Sequence, residues 1–363
     1  MYLDNIFIAN LLQLINDGYV TIRQHPSENL FILNYTHRTQ WERKWTKETI
    51  MCRGLVIDKQ YQVVAQSFKK FFGINETDDT KIENLPNEVP LITEKMDGSL
   101  IIVFVYDGKL IVSTRGSFES EQAIWATRWL RDKSVKASDF IDGYTYVMEG
   151  IYKQNRIVVD YGDYEGLVLL TIINPDTNEE FDYNKVYQVG SYLGIDVVKQ
   201  IYITDINKVV EMLPTMSDNE EGFVCKYSNG LRVKMKGESY RRLHLLITGF
   251  SSKSIWECLM NGQDIDEILN LVPAEFALWA RQVRAKLLNQ YIEVNNFVKG
   301  VYEMVVSLPT RKEQAMVLMK EYKKVSGLVF TLLNNKGDIK SIDKAVWKMI
   351  EPEYELPFKK EIV

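Results

Sequence analysis

The stretch Thr93-Glu94-Lys95-Met96-Asp97-Gly98-Ser99-Leu100 sets one lysine in a tight Asp-Gly turn between two strand-like runs. A lysine amine is protonated and inert near its ordinary pKa of about 10.4, so a site that uses it as a nucleophile must lower that value with cations or desolvation. Cations recur through the chain in the right company: Arg53 before Gly54, Lys70 in the run Lys69 to Glu76, Arg115 before Gly116, and Lys234-Met235-Lys236. Carboxylates recur too, at Glu94, Asp97, Glu149 before Gly150, and Glu221 before Gly222. Such a set suits attack by an amine on the α-phosphate of a nucleoside triphosphate, where positive charge must surround the phosphate oxygens and the leaving pyrophosphate. Arg53, Lys70, Lys234 and Lys236 are the candidates for that charge. On a strand, Lys234 and Lys236 project from one face about 6 to 7 Å apart. The same cations are expected to disfavour a proton on Lys95. Asp97 and Glu221 offer hard oxygens for Mg²⁺, and Glu149 offers an acceptor for a ribose hydroxyl. The glycines at 54, 98, 150 and 222 are expected to let a nucleotide approach the backbone.

The elements that must hold these groups are legible in outline. From about Tyr19 to Lys236, short β-branched and aromatic runs alternate with turn signals, the texture of an antiparallel-rich α+β domain. Leu100 to Tyr106 and Lys109 to Thr114 flank Asp107-Gly108 and predict a hairpin, as do Gly222 to Tyr227 and Leu231 to Lys236 around Ser228-Asn229-Gly230. Further strands are expected at Gly54 to Ile57, Val63 to Ser67, Thr145 to Tyr152 and Leu167 to Ile173, with helices over Ser120 to Lys133 and Asn184 to Gly194. After about His244 the period changes. Apolar residues spaced by three or four from Phe276 to Val305 predict a long amphipathic helix over Ala274 to Ser307, followed by helices over Lys312 to Lys324, Val325 to Asn334 and Asp338 to Ile350. The expected organisation is residues 1–243 as the transfer domain and 244–363 as an all-helical second domain.

The bulk numbers exclude some classes. With 363 residues and 46% hydrophobic content the chain can build two cores, and a net charge of -5 argues against a generally basic nucleic-acid coat. Any polyanion must therefore meet a local cluster of cations. Three cysteines, Cys52, Cys225 and Cys258, without CxxC spacing suit a reducing cytoplasm. The first residues carry Asp4 and no basic leader, which fits an amphipathic helix, and no apolar run reaches the roughly 20 residues of a membrane span. A soluble, intracellular protein is expected.

Lys95-Met96-Asp97-Gly98 resembles the K-x-D-G motif of covalent lysine nucleotidyltransferases, shared by ATP-dependent ligases and capping enzymes. The wider chain resembles the phage-type ATP-dependent RNA ligases of the RNA ligase 1 family. Phe71-Phe72 with Asn75-Glu76, Ser120-Glu121-Gln122-Ala123 and Asn155-Arg156-Ile157-Val158 extend the likeness. The resemblance implies an N-terminal nucleotidyltransferase domain followed by a helical C-terminal domain that adapts the enzyme to RNA. It implies a lysine adenylated at Lys95, and nucleotide contacts from Arg53, Lys70, Glu94, Arg115, Glu149, Lys234, Lys236 and Tyr240. The metal-linked carboxylates would be Asp97 and Glu221, with Asp264 and Asp266 in the stretch where the helical domain can bind a metal. The competing reading of that last pair is as acids at a helix N-terminus. ATP and Mg²⁺, with Mn²⁺ as a substitute, are the implied cofactors. The implied partner is single-stranded RNA or a broken tRNA anticodon loop, in the cytoplasm of an infected host, after an end-healing kinase and phosphatase, with no membrane and as a monomer. The rivals are a DNA ligase or capping enzyme, which usually carries a C-terminal OB-fold, and a catalytically idle RNA-binding module.

Overall fold

The computed structural model describes residues 1–269, 272 and 274–354. The chain divides into two compact units, Met1–Arg242 and a second beginning at Leu243.

Three sheets build the first unit. The strands Val20–Gln24, Leu30–Tyr35, Arg53–Asp58 and Val63–Gln66 form an antiparallel meander. Helix Asn5–Asn16, capped by Asp4, turns Phe7, Leu11 and Leu14 onto Leu33, Leu55 and Ile57 on one face of it. The other face presents Ile32, Val56 and Ala65 to Ile102 and Phe104 of the second sheet. That sheet runs in the order Asp196–Val197, Gly166–Ile173, Thr145–Ile151, Ser99–Tyr106, Lys109–Ser113. Its hairpin turn has Asp107 at φ 48° and Gly108 at φ 70°, the two left-handed residues that match the strand twist. Helices Glu121–Asp132, capped by Ser120, and Tyr183–Leu193, capped by Asp182 and ended by left-handed Gly194, cover the face carrying Ile101, Val103, Met148, Leu167 and Leu169. The third sheet is ordered Gln200–Ile201, Leu91–Glu94, Gly222–Lys226, Arg232–Lys236, Phe72–Gly73, the last pair parallel. Helix Ile206–Met212 packs Val209 beneath it.

The second unit is helical among its described residues, with Ser252–Met260, Ala274–Val306, Arg311–Glu321, Ser326–Asn334 and Asp343–Met349 as its main helices. Val298, Val301 and Val305 of the long helix meet Leu318, Val329, Leu332 and Val346 in its core. The long helix follows the expected period. The helix expected from Asp338 instead begins as a 3₁₀ turn, Ile339–Ile342, because Asp338 caps the N–H of Lys340 before the α-helix starts at Asp343. Residues 355–363 of the expected second domain lie outside the described residues. No described helix is long and apolar enough to cross a membrane.

Candidate nucleotidyl-transfer site

Lys95 sits where two sheets are tied together. Leu91–Glu94 pairs with Gly222–Lys226 in one sheet, and Ser99–Tyr106 pairs with Thr145–Ile151 in the next, with Ser99 opposite Gly150 and Leu100 opposite Glu149. Residues 95–98 cross between them. The Lys95 N–H donates to the Gly222 carbonyl at 2.8 Å, which continues the first sheet by one residue. Asp97, 4% exposed, then fixes the crossing: one carboxylate oxygen accepts from the Val158 and Val159 amides at 2.8 and 2.9 Å, the other from the Tyr240 hydroxyl at 2.8 Å. Its own N–H donates to the Tyr161 hydroxyl at 2.8 Å, and the Gly98 N–H donates to Glu149 at 3.1 Å. Sequence reasoning missed Tyr161 and the two amides, because an amide and a tyrosine 61 to 64 residues away leave no local signal.

The reactive groups gather around this crossing. Lys95 Nζ lies 2.8 Å from Glu221 Oε1, and Lys236 Nζ lies 2.9 Å from the same oxygen. Tyr240 is buried, with Lys236 over its ring at 4.9 Å. Arg53, Glu94, Lys95 and Glu149 line one cleft together with Phe71 and Val224. Arg53 is half-buried, and its Nη1 atom is buried with no hydrogen-bond partner among the described residues. Lys70 Nζ sits 4.5 Å from the Phe72 ring and 5.2 Å from the Trp45 ring, and Arg115 donates to the Tyr35 hydroxyl at 3.1 Å.

The electrostatics correct one expectation. Burial pulls the Lys95 ammonium down, but Glu221, Glu149 and Asp97 outweigh it, so its pKa is raised. The lysine is thus a firmly held ammonium in the ligand-free protein, because its immediate neighbours are carboxylates. The lowered lysine is Lys234, brought to about 8 by burial and by the neighbouring ammoniums of Lys70, Lys236 and Lys95. Lys70 is lowered too, mainly by burial and then by Arg53 and Arg115 against an opposing Glu76. Glu149 is raised to about 7 by burial, with Glu221 and Asp97 adding to the effect and Lys95 and Arg53 opposing it. Burial likewise raises Glu94, and Glu221 is lowered because Lys95 and Lys236 overcome its burial. Crowded cations and a carboxyl raised by burial thus stand close together around the crossing.

A second correction concerns the glycines. A Cβ on Gly98 would stand 2.5 Å from the Gly150 carbonyl oxygen, and one on Gly222, at φ +135°, 2.0 Å from that of Met235. On Gly54 it would meet Ile102 at 2.2 Å. The close approach these glycines permit is of one strand to another, and no ligand is needed to explain them.

Asp264 and Asp266 belong to the second unit. Asp264 accepts from the Asp266 N–H at 2.8 Å at the start of helix Asp266–Leu269, and Asp266 pairs with Arg284 at 2.8 Å. Among the described residues no trio of His, Cys, Asp or Glu is gathered for a metal. Both oxygens of Asp97 already accept from the protein, and Glu221 is held by two ammoniums.

A family model for RNA ligases matches residues 51–240, which includes every one of these groups from Arg53 to Tyr240. The chain belongs to the RNA ligase family. Two curated proteins are similar to this RNA ligase family member. A protein of Autographa californica nuclear polyhedrosis virus, named as a bifunctional polynucleotide kinase/RNA ligase, is 24% identical over a 398-residue alignment covering 95% of this chain and 54% of that protein. One of Thermovibrio ammonificans, named as an RNA ligase, is 29% identical over 209 residues, 54% of this chain and 53% of that protein. The chain spans about half the length of the curated relatives it matches. In fold it is similar to an archaeal ATP-dependent RNA ligase, at 16% identity and a TM-score of 0.50 over 68% of this chain and 65% of that one.

Proposed function

We propose that the chain is an ATP-dependent RNA ligase that joins a 5′-phosphate to a 3′-hydroxyl through three nucleotidyl transfers. The observation that carries this reading is the Lys95 ammonium, held at 2.8 Å by Glu221 beside Arg53, Glu149 and Lys236 in one family-matched region. In the first transfer the Lys95 ammonium, once the arriving nucleotide has loosened its ion pair with Glu221, gives one proton to solvent; the amine then attacks the ATP α-phosphate, a nitrogen–phosphorus bond forms, the bond to pyrophosphate breaks, and the second proton leaves with the pyrophosphate. Arg53, Lys70, Lys234 and Lys236 stabilise the phosphate charge. Arg115 assists at the nucleotide, and Glu94 and Glu149 serve as acceptors near it. In the second transfer an RNA 5′-phosphate takes the adenylate. In the third a 3′-hydroxyl attacks that end and expels AMP.

Mg²⁺ fits this donor set as an ion that arrives with the nucleotide, since such ions keep most of their shell from phosphates and water and take one or two carboxylates from the protein. Glu149, a carboxyl whose pKa burial raises, and Glu221, once its two ammoniums turn to the nucleotide phosphates, are the residues that would hold it. Asp97 is better suited to holding the crossing in place, through Val158, Val159 and Tyr240. Asp264 and Asp266 are better accounted for as helix-start acids. The second unit would adapt the enzyme to single-stranded RNA or a broken tRNA loop. The viral relative, named for a kinase as well as a ligase, supports action after an end-healing kinase. The enzyme would act as a monomer in the cytoplasm, of an infected host if the chain is viral.

Incubation with α-³²P-labelled ATP and Mg²⁺, followed by a 5′-phosphorylated RNA oligonucleotide, tests the reading. Label should attach to the protein and pass to the RNA. Label accepted only from GTP would indicate capping chemistry, and no label at all an idle RNA-binding module.

A further inference from the structure

The cleft that contains Lys95 has a neighbour. A second cavity, of about 870 Å³, opens beyond Phe68, Phe71, Glu180, Lys226 and Arg232, residues that line both spaces. Their shared wall is rigid by its chemistry. Arg232 forks onto Glu180 at 3.0 and 2.7 Å, Lys226 Nζ lies 3.0 Å from the same carboxylate, and the Thr171 hydroxyl donates to it at 3.0 Å. The Arg232 guanidinium also lies 4.2 Å over the Phe68 ring. These residues form the border that the two spaces share; Lys95 lines only the first of them and Lys70 only the second.

The far space is furnished differently. Trp45, Phe71 and Phe72 supply ring faces and edges, with Trp45 edge-on to Tyr35 at 5.1 Å and to Phe72 at 5.5 Å. Lys70 is held against the rings of Trp45 and Phe72, its ammonium also donating to the Phe71 carbonyl at 3.3 Å. Lys69 stands exposed at the margin, and among the described residues no carboxylate pairs with it. Rings on which a base can stack, beside one fixed and one free ammonium, suit a nucleotide with its phosphates.

We propose that this second cavity holds the terminal nucleotide of the RNA, base against Trp45 and Phe72 and phosphates toward Lys69 and Lys70, while the adenylate occupies the Lys95 cleft. The assignment rests on the ligase reading, because a reaction between two nucleotides needs room for a second one beside the space that holds Lys95. Lys70 would serve the pyrophosphate first and the RNA phosphate once pyrophosphate has left.

Acetylation footprinting of the full-length protein tests this, with acetic anhydride as reagent and Lys69 read by peptide mass spectrometry. A 5′-phosphorylated single-stranded RNA should lower acetylation of Lys69 about tenfold, and ATP alone should leave it unchanged. Equal protection by a 5′-hydroxyl RNA would place the 3′ end in the cavity, and protection that needs the 5′-phosphate would place the 5′ end there. Lys69→Glu should leave lysyl-AMP formation from ATP intact and slow transfer to RNA about tenfold, with Lys69→Arg restoring it. Protection by ATP, protection by neither RNA, or unchanged transfer in Lys69→Glu would overturn the assignment. Those results, obtained on a protein that forms lysyl-AMP, leave the ligase reading standing; absence of lysyl-AMP strikes that reading instead.

Discussion

At the scale of single residues, the site is a balance between carboxylates that hold Lys95 charged and cations that await an anion. Glu149 exposes that balance most directly. Its pKa in the folded protein, about 7, lies above the ordinary value of 4.5, so between those values the folded state binds more protons than the unfolded one and stability falls as pH rises. Glu149→Gln removes a charge that is half present at pH 7 and almost fully present at pH 8. It should therefore raise the ligand-free melting temperature at pH 8, by the equivalent of roughly 3 kcal/mol, and have little effect at pH 4.5. A melt series across that range checks it, and a variant less stable at pH 8 would contradict the cause assigned to the shift. The residue types were legible in sequence because K-x-D-G is short and its companions follow in a recognisable order. The direction of the Lys95 shift was not, since the pairing of Lys95 and Lys236 on one oxygen of Glu221 depends on strand register, which residue order alone does not give.

At the scale of elements, the site exists because residues 95–98 carry the chain from one sheet to another. Both hairpins and most strands were readable from alternation and turn residues: Asp107-Gly108 marks its turn unmistakably, and Gly222–Lys226 and Arg232–Lys236 pair where expected. The N-terminal strand Leu30–Tyr35 was not, because a run buried on both faces shows no period of two. Glu180 was also missed. Nothing near it in sequence announces that Arg232, 52 residues on, and Lys226 hold it at about 2 against the upward pull of burial. Arg232→Met should leave that carboxylate with Lys226 as its remaining cation and destabilise the fold by about 2 kcal/mol, whereas adding Glu180→Gln should recover part of the loss. Denaturant titration of the single and double variants measures this, and additive losses would show that the pair is not coupled.

At the scale of the whole molecule, a chain of net charge -5 gathers Arg53, Lys70, Lys234 and Lys236 from three separate segments, the last two from one strand. The change from strand texture to long helical period near His244 was legible, and the compact units divide at Leu243. The second cavity could not be foreseen, because its walls come from Trp45, Lys69 to Phe72, Asn178 to Glu180 and Lys226 to Arg232, which only the folded sheets bring together. All of the proposed chemistry converges on one nitrogen. Peptide mass spectrometry of the protein after incubation with ATP and Mg²⁺ reads it directly. The account predicts AMP on the peptide containing Lys95 through an acid-labile phosphoramidate, and no adduct in a Lys95→Ala variant that melts like the native protein. An adenylate on a different residue, or one that persists in Lys95→Ala, would contradict it.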